Sequence, residues 1–100
     1  PHQNANCHSS LHLYPILIDT KIVKKSHSQI FEELRNSGIG VNLHYIPIHL
    51  HPYYQKFGFK KGDFPNSEDY YSKAISIPLF SSMTIEQQDT VISILRKILQ

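Results

Sequence analysis

The stretch from Thr84 to the C-terminus constrains the fold most. Thr84 and Gln87 carry the residue types and spacing of a helix capping box, and Ile85, Val91, Ile92, Leu95, Ile98 and Leu99 recur at helical spacing behind them. An isolated helix of this length is marginal in water unless its apolar stripe is covered. The rest of the chain must therefore build a core for it to pack on. One hundred residues, 40% of them hydrophobic, are enough for one compact domain and too few for two.

Residues 1–10 are polar and without period, and read as a lead-in to a domain over 11–100. In Leu11 to Asp19, LHLYPILID, Leu11, Leu13 and Leu17 share one side and Tyr14, Ile16 and Ile18 the other, which predicts a first strand covered on both faces. Pro15 has no amide hydrogen and belongs at a sheet edge or bulge. Ser26 and Gln29 form a second capping box for a helix over 26–37, with Ile30, Phe31 and Leu34 as its stripe and Gly38 to end it.

After Gly40 the period returns to two. Val41, Leu43 and Tyr45 share one face of a second predicted strand, and Asn42, His44 and Ile46 share a mixed one. His51 to Phe57 reads as a short helix with Pro52 in its first turn and Gly58 as its stop. Phe59 to Pro65 is a loop, and Asn66 is the expected cap of a helix reaching about Ala74, with Glu68 and Asp69 as partners of its N-terminal dipole. Ser76 to Phe80 is a short extended segment whose Pro78 argues for an edge. The order strand, helix, strand, short helices, short strand, helix describes a small two-layer α/β (α+β) sandwich.

Ten Lys and Arg against eight Asp and Glu give a net charge of +2, scattered rather than gathered in the basic stripe a nucleic-acid binder needs. No apolar run reaches the roughly 20 residues of a membrane span. Cys7 is the single cysteine, so no intramolecular disulfide can form and a cytoplasmic setting is expected. The chain opens on Pro1 rather than Met, and the expectation is a piece of a longer protein.

His44, His49 and His51 raise the question of a metal. On a strand His49 and His51 would share a face, but they supply two ligands only, and a third would have to come from elsewhere, such as His12. No metal site is expected. Cys7 lies in a loose tail, no serine occupies a nucleophile elbow, and neither a phosphate loop nor a dinucleotide fingerprint is present. No catalytic residue is expected in this chain.

What remains is His44, a polar side chain inside an apolar strand, which is costly unless it is hydrogen-bonded or lines a wet cavity. A satisfied core histidine explains it equally well, and Tyr45, Tyr53 and Tyr54 could be ordinary core residues with a polar tip. Their crowding in a proline-rich turn makes Gly40 to Tyr54 one wall of a binding site.

The strings GIGVNLHYIPIHLHPYYQKFGF and GDFPNSEDYYSKAISIPLF, followed by the capped helix, resemble the end of the DegT/StrS family of sugar aminotransferases, which depend on pyridoxal phosphate (PLP). SSLHLYPILID is similar to the strand that opens that family's small C-terminal domain. The HYIPIHLHPYY form and the FP, SE, YY run most resemble members of pseudaminic acid biosynthesis, which act on a UDP-linked 4-keto-6-deoxy amino sugar with glutamate as donor. The resemblance implies the C-terminal domain of a fold-type I enzyme, homodimeric in the parent, with the cofactor and its lysine in a large domain. None of Lys21, Lys24, Lys25, Lys56, Lys60, Lys61, Lys73 and Lys97 lies in a sequence like that lysine's motif, so this chain alone should not transaminate and should bind no cofactor. It implies substrate contact for His44, with Tyr45, His49, Asn42 and His12 as further candidates. A free-standing module that binds a sugar nucleotide or a protein is the rival expectation.

Overall fold

Ser76 organises the sheet in the computed structural model, which describes residues 3–100; Pro1 and His2, the start of the expected lead-in, lie outside it. Strand β1 (Tyr14–Leu17) pairs antiparallel with β2 (Ala74–Ile77), Pro15 facing Ser76. Ser76 turns its backbone the other way, donating to the carbonyl of Asn42 at 2.8 Å and accepting from the amide of Asn42 at 3.1 Å. Backbone groups along a strand alternate sides, so Ser76 presents nothing to β1 that Pro15 would have to answer. The proline at the edge is thus borne out.

Helix α1 (Thr20–Val23) was not expected; Asp19 caps it by accepting from the amide of Lys21. Helix α2 (His27–Asn36) has both halves of the Ser26 and Gln29 capping box, and Gly38 closes it at φ +82°. His27 donates from Nε2 to the carbonyl of Ala74, which ties the start of α2 to the start of β2. Helix α5 (Ile85–Leu99) has the box of Thr84 and Gln87. A fully buried trio, Ile30, Leu34 and Ile75, sits at the centre of a core completed by Ile18, Ile39, Val41, Val91 and Ile98. The result is the expected small α/β unit, with α2 and α5 joined to the sheet through that core.

Five local expectations are corrected. The first strand is shorter than Leu11 to Asp19 and is not covered on both faces, since Leu17 is exposed. The second strand is reduced to the single bridge at Asn42, and beyond it Tyr45 is 69% exposed, so the alternation there does not report a sheet face. Pro78 lies just past β2, which is flanked by β1 on one side and Asn42 on the other and is not an edge. Helix α4 (Pro65–Lys73) takes Phe64 as its cap residue without a side-chain bond, because Pro65 occupies the first turn and moves the start ahead of Asn66. The predicted stripe of α5 is also too wide, for Ile85 is 74% exposed.

Between the bridge at Asn42 and helix α4 the chain makes a 3-10 turn (Ile48–Leu50) and helix α3 (Pro52–Gln55), with Pro52 in its first turn and Gly58 at φ +93° beyond it, as expected. Neither element adds a side chain to the hydrophobic core, although His49 of the turn is buried. The radius of gyration is 15.7 Å, against about 13 Å for a compact domain of this length.

Candidate functional site

His44 answers the question its place in the sequence raised. Its Nδ1 lies 2.9 Å from Oγ of Ser76, itself only 5% exposed, so the half-buried ring is hydrogen-bonded to β2. A hydroxyl can donate or accept, so the pair suits either neutral tautomer. With Nδ1 engaged, Nε2 is the ring nitrogen left for a ligand. The edge of Tyr45 meets the ring at 4.7 Å between centroids and 74° between planes. Asn42 is exposed, its Oδ1 accepting from the amide of Leu43 at 3.0 Å. Ser76 therefore gathers Asn42, His44 and, through His44, Tyr45. His12 is exposed on the segment leading into β1 and takes no part in this group.

His49 is turned elsewhere. It is 6% exposed, and its Nε2 lies 2.8 Å from Oε1 of Glu68 on α4. The same oxygen accepts from the amide of Gly62 at 2.7 Å. Gly62 has φ +96°, a conformation that favours glycine, and this turns its amide toward the carboxylate. The His49 bond and then the Gly62 amide hold the Glu68 carboxyl below its ordinary value of about 4.5, against the opposing effect of burial. Phe64 lies against the imidazole at 4.9 Å. The two residues border a cavity of about 360 Å³ formed by Ile48, His49, Tyr54, Phe59, Phe64 and Ser67.

Sequence reasoning missed Ser76 and Glu68. Ser76 was legible by the argument that singled out His44, for it is a polar residue within the apolar run Ala74 to Ile77. Glu68 passed for a dipole partner because its contact with His49 spans two elements and leaves no local signature. Among the described residues no three His, Cys, Asp or Glu side chains converge as a metal would require, and no helix is long and apolar enough to cross a membrane.

The lysines do not make a cofactor site. Lys21, Lys24, Lys56, Lys60, Lys61 and Lys97 are exposed, Lys25 is paired with Glu33, and Lys73 with Asp69. A Schiff-base lysine works from a desolvated pocket, and none of these lysines is buried. The residues present do not fit PLP as its own binding site.

The sequence profile of the DegT/DnrJ/EryC1/StrS aminotransferase family matches residues 1–96. The chain belongs to this family. Among its relatives, the spore coat polysaccharide biosynthesis protein SpsC of Bacillus subtilis is 42% identical over 91 residues, 89% of this chain and 23% of that protein. The UDP-4-amino-4,6-dideoxy-N-acetyl-beta-L-altrosamine transaminase of Campylobacter jejuni is 34% identical over 94 residues, 90% of this chain and 24% of the enzyme. Two solved family structures are similar to this fold. A Streptococcus pneumoniae protein assigned as a sugar aminotransferase, solved in PLP and PMP forms, superposes with a TM-score of 0.88 at 26% identity, over 99% of this chain and 25% of that one. The Helicobacter pylori aminotransferase of pseudaminic acid biosynthesis superposes with a TM-score of 0.76 at 34% identity, over 90% and 24%. The chain thus spans about a quarter of the length of the family members it matches.

Proposed function

We propose that this chain is the C-terminal small domain, over residues 11–100, of a PLP-dependent nucleotide-sugar aminotransferase, and that it forms one wall of the substrate cleft. The observation that carries this is the family match over residues 1–96 by a chain that covers about a quarter of its relatives. In the whole protein the activity is amination of a UDP-linked 4-keto-6-deoxy amino sugar, a reading supported by the similarity to the Campylobacter UDP-4-amino-4,6-dideoxy-N-acetyl-beta-L-altrosamine transaminase. Glutamate is the donor, the parent is a homodimer and the setting is cytoplasmic. PLP, when bound in the large domain, supplies the carbonyl that accepts and releases the amino group. No lysine of this chain serves it.

What this chain contributes is position. His44, held at Nδ1 by Ser76, offers Nε2 to a sugar hydroxyl or a phosphate oxygen. Tyr45 braces the imidazole and presents an exposed phenol, and the Asn42 amide lies on the same strip of chain. His12 is a candidate at the rim, and His49, buried with its Nε2 on Glu68, serves the wall as a support rather than as a contact. The exposed Ile46, Ile48, Tyr53, Phe57 and Phe64 supply an apolar face for the large domain.

Two measurements test the proposal. Titration of this chain with PLP should yield no stoichiometric, lysine-dependent cofactor absorbance; such a band would place the lysine here and overturn it. In the whole protein, His44→Ala should raise KM for the sugar nucleotide about tenfold or more and leave KM for glutamate within about twofold. An unchanged sugar-nucleotide KM rejects the wall.

A further inference from the structure

We infer that His49 and Glu68 are positioning residues, a pin that sets the far end of the wall carrying His44 and Tyr45. The inference rests on the function proposed above. The segment from His44 to His49 is anchored at both ends by side-chain bonds. His44 is bonded to Ser76 of β2 at 2.9 Å, and His49 to Glu68 of α4 at 2.8 Å. Helix α4 runs directly into β2, its last residue Lys73 preceding Ala74. Both anchors therefore belong to one continuous stretch of backbone, and the wall is strung across it.

The second anchor is built to hold. His49 and Glu68 are both withdrawn from water, with side chains 6% and 16% exposed. Glu68 Oε1 also grips the Gly62 amide, so one oxygen fixes the turn at Ile48–Leu50 and the loop before α4 together. Just past the far anchor, His51 donates from Nε2 to the carbonyl of Ile46 at 3.2 Å and closes the turn around His49. Neither the turn nor helix α3 contributes to the hydrophobic core. Between the anchors only Pro47 is buried, and Phe64 lies against the His49 ring, so the polar bonds add the direction that this limited packing leaves open.

Removing Glu68 frees the far anchor and leaves the bond of His44 to Ser76 in place. In the whole protein, Glu68→Ala should raise KM for the sugar nucleotide about tenfold, since small misplacements of a positioning group carry penalties of that order or more. KM for glutamate and the cofactor absorbance should not change. His49→Phe, which keeps an aromatic ring in the cavity but loses the bond, should give the same signature. Glu68→Gln, which keeps an acceptor for Gly62, should restore most of the affinity. An unchanged sugar-nucleotide KM in whichever variant folds overturns the inference. So does a joint loss of both KM values and the cofactor band, or failure of both variants to fold, because each marks a purely structural role. His44→Ala separates the two readings. If it leaves the sugar-nucleotide KM unchanged, the wall itself falls; if it raises KM while the pin variants do not, only the pin falls.

Discussion

Every polar group of Ser76 is engaged: its amide and carbonyl go to Asn42 and its hydroxyl to His44. Ser76→Ala leaves the backbone pairing intact and strips one partner from a half-buried imidazole. Such losses cost about 1–3 kcal/mol, and in the whole protein the cost should be read in a lower Tm together with a raised sugar-nucleotide KM. An unchanged KM would show that the Ser76 bond does not orient the ring for substrate. Glu68 makes a separate prediction on pH. Its folded pKa is depressed, so the carboxylate contributes stability above its ordinary value of about 4.5, and that contribution disappears as pH falls through the lower folded value. The Tm advantage of the natural chain over Glu68→Gln should be full at neutral pH and vanish on acidification. A gap that widens toward acid would show the opposite sign and reject the assigned cause, the His49 and Gly62 bonds.

Elements reveal what was legible and why. Both capping boxes bind as their residue types require, because each is a contact within one turn and is written entirely in local sequence. Thr84→Ala should cost about 1 kcal/mol, measured by denaturant unfolding; a variant as stable as the natural chain would mean that the box is redundant. Ile75→Ala, at a fully buried position, should cost about 2–5 kcal/mol, and a loss below 1 kcal/mol would show that the core closes over the gap. The strand expected over 41–46 failed for a physical reason. Period two reports alternating exposure, but a strand also needs a neighbour along its length, and here only Asn42 has one; in the antiparallel register Tyr45 and Ile46 would fall beyond Ala74, where β2 begins at the end of α4. Val41 obeys the alternation and is buried; Tyr45 breaks it. The candidate site was legible to the same degree. His44 stood out as a polar residue in apolar company, whereas its partner Ser76 is distant in sequence, as is Glu68 from His49. Pairing between elements is set by tertiary arrangement, which periodicity does not encode.

At the scale of the molecule, the apolar side chains from Ile46 to Phe64 stand outside the core, and a radius of gyration of 15.7 Å fits a unit that keeps part of its apolar surface unburied. In isolation this chain should self-associate as its concentration rises, by sedimentation or size exclusion, and Ile48→Lys with Phe57→Lys should return it to a monomer. A monomer at all concentrations would mean that this face is wetter than its composition suggests. Glu68 also decides what can be exchanged between family members that prefer different sugars. A graft of the proline-rich turn alone would import an imidazole cut to meet one carboxylate and set it before whatever the host helix offers. The heritable module is longer: it runs from the bridge at Asn42 through the serine of β2, and a recombinant whose crossover falls inside it should recognise neither parent's substrate.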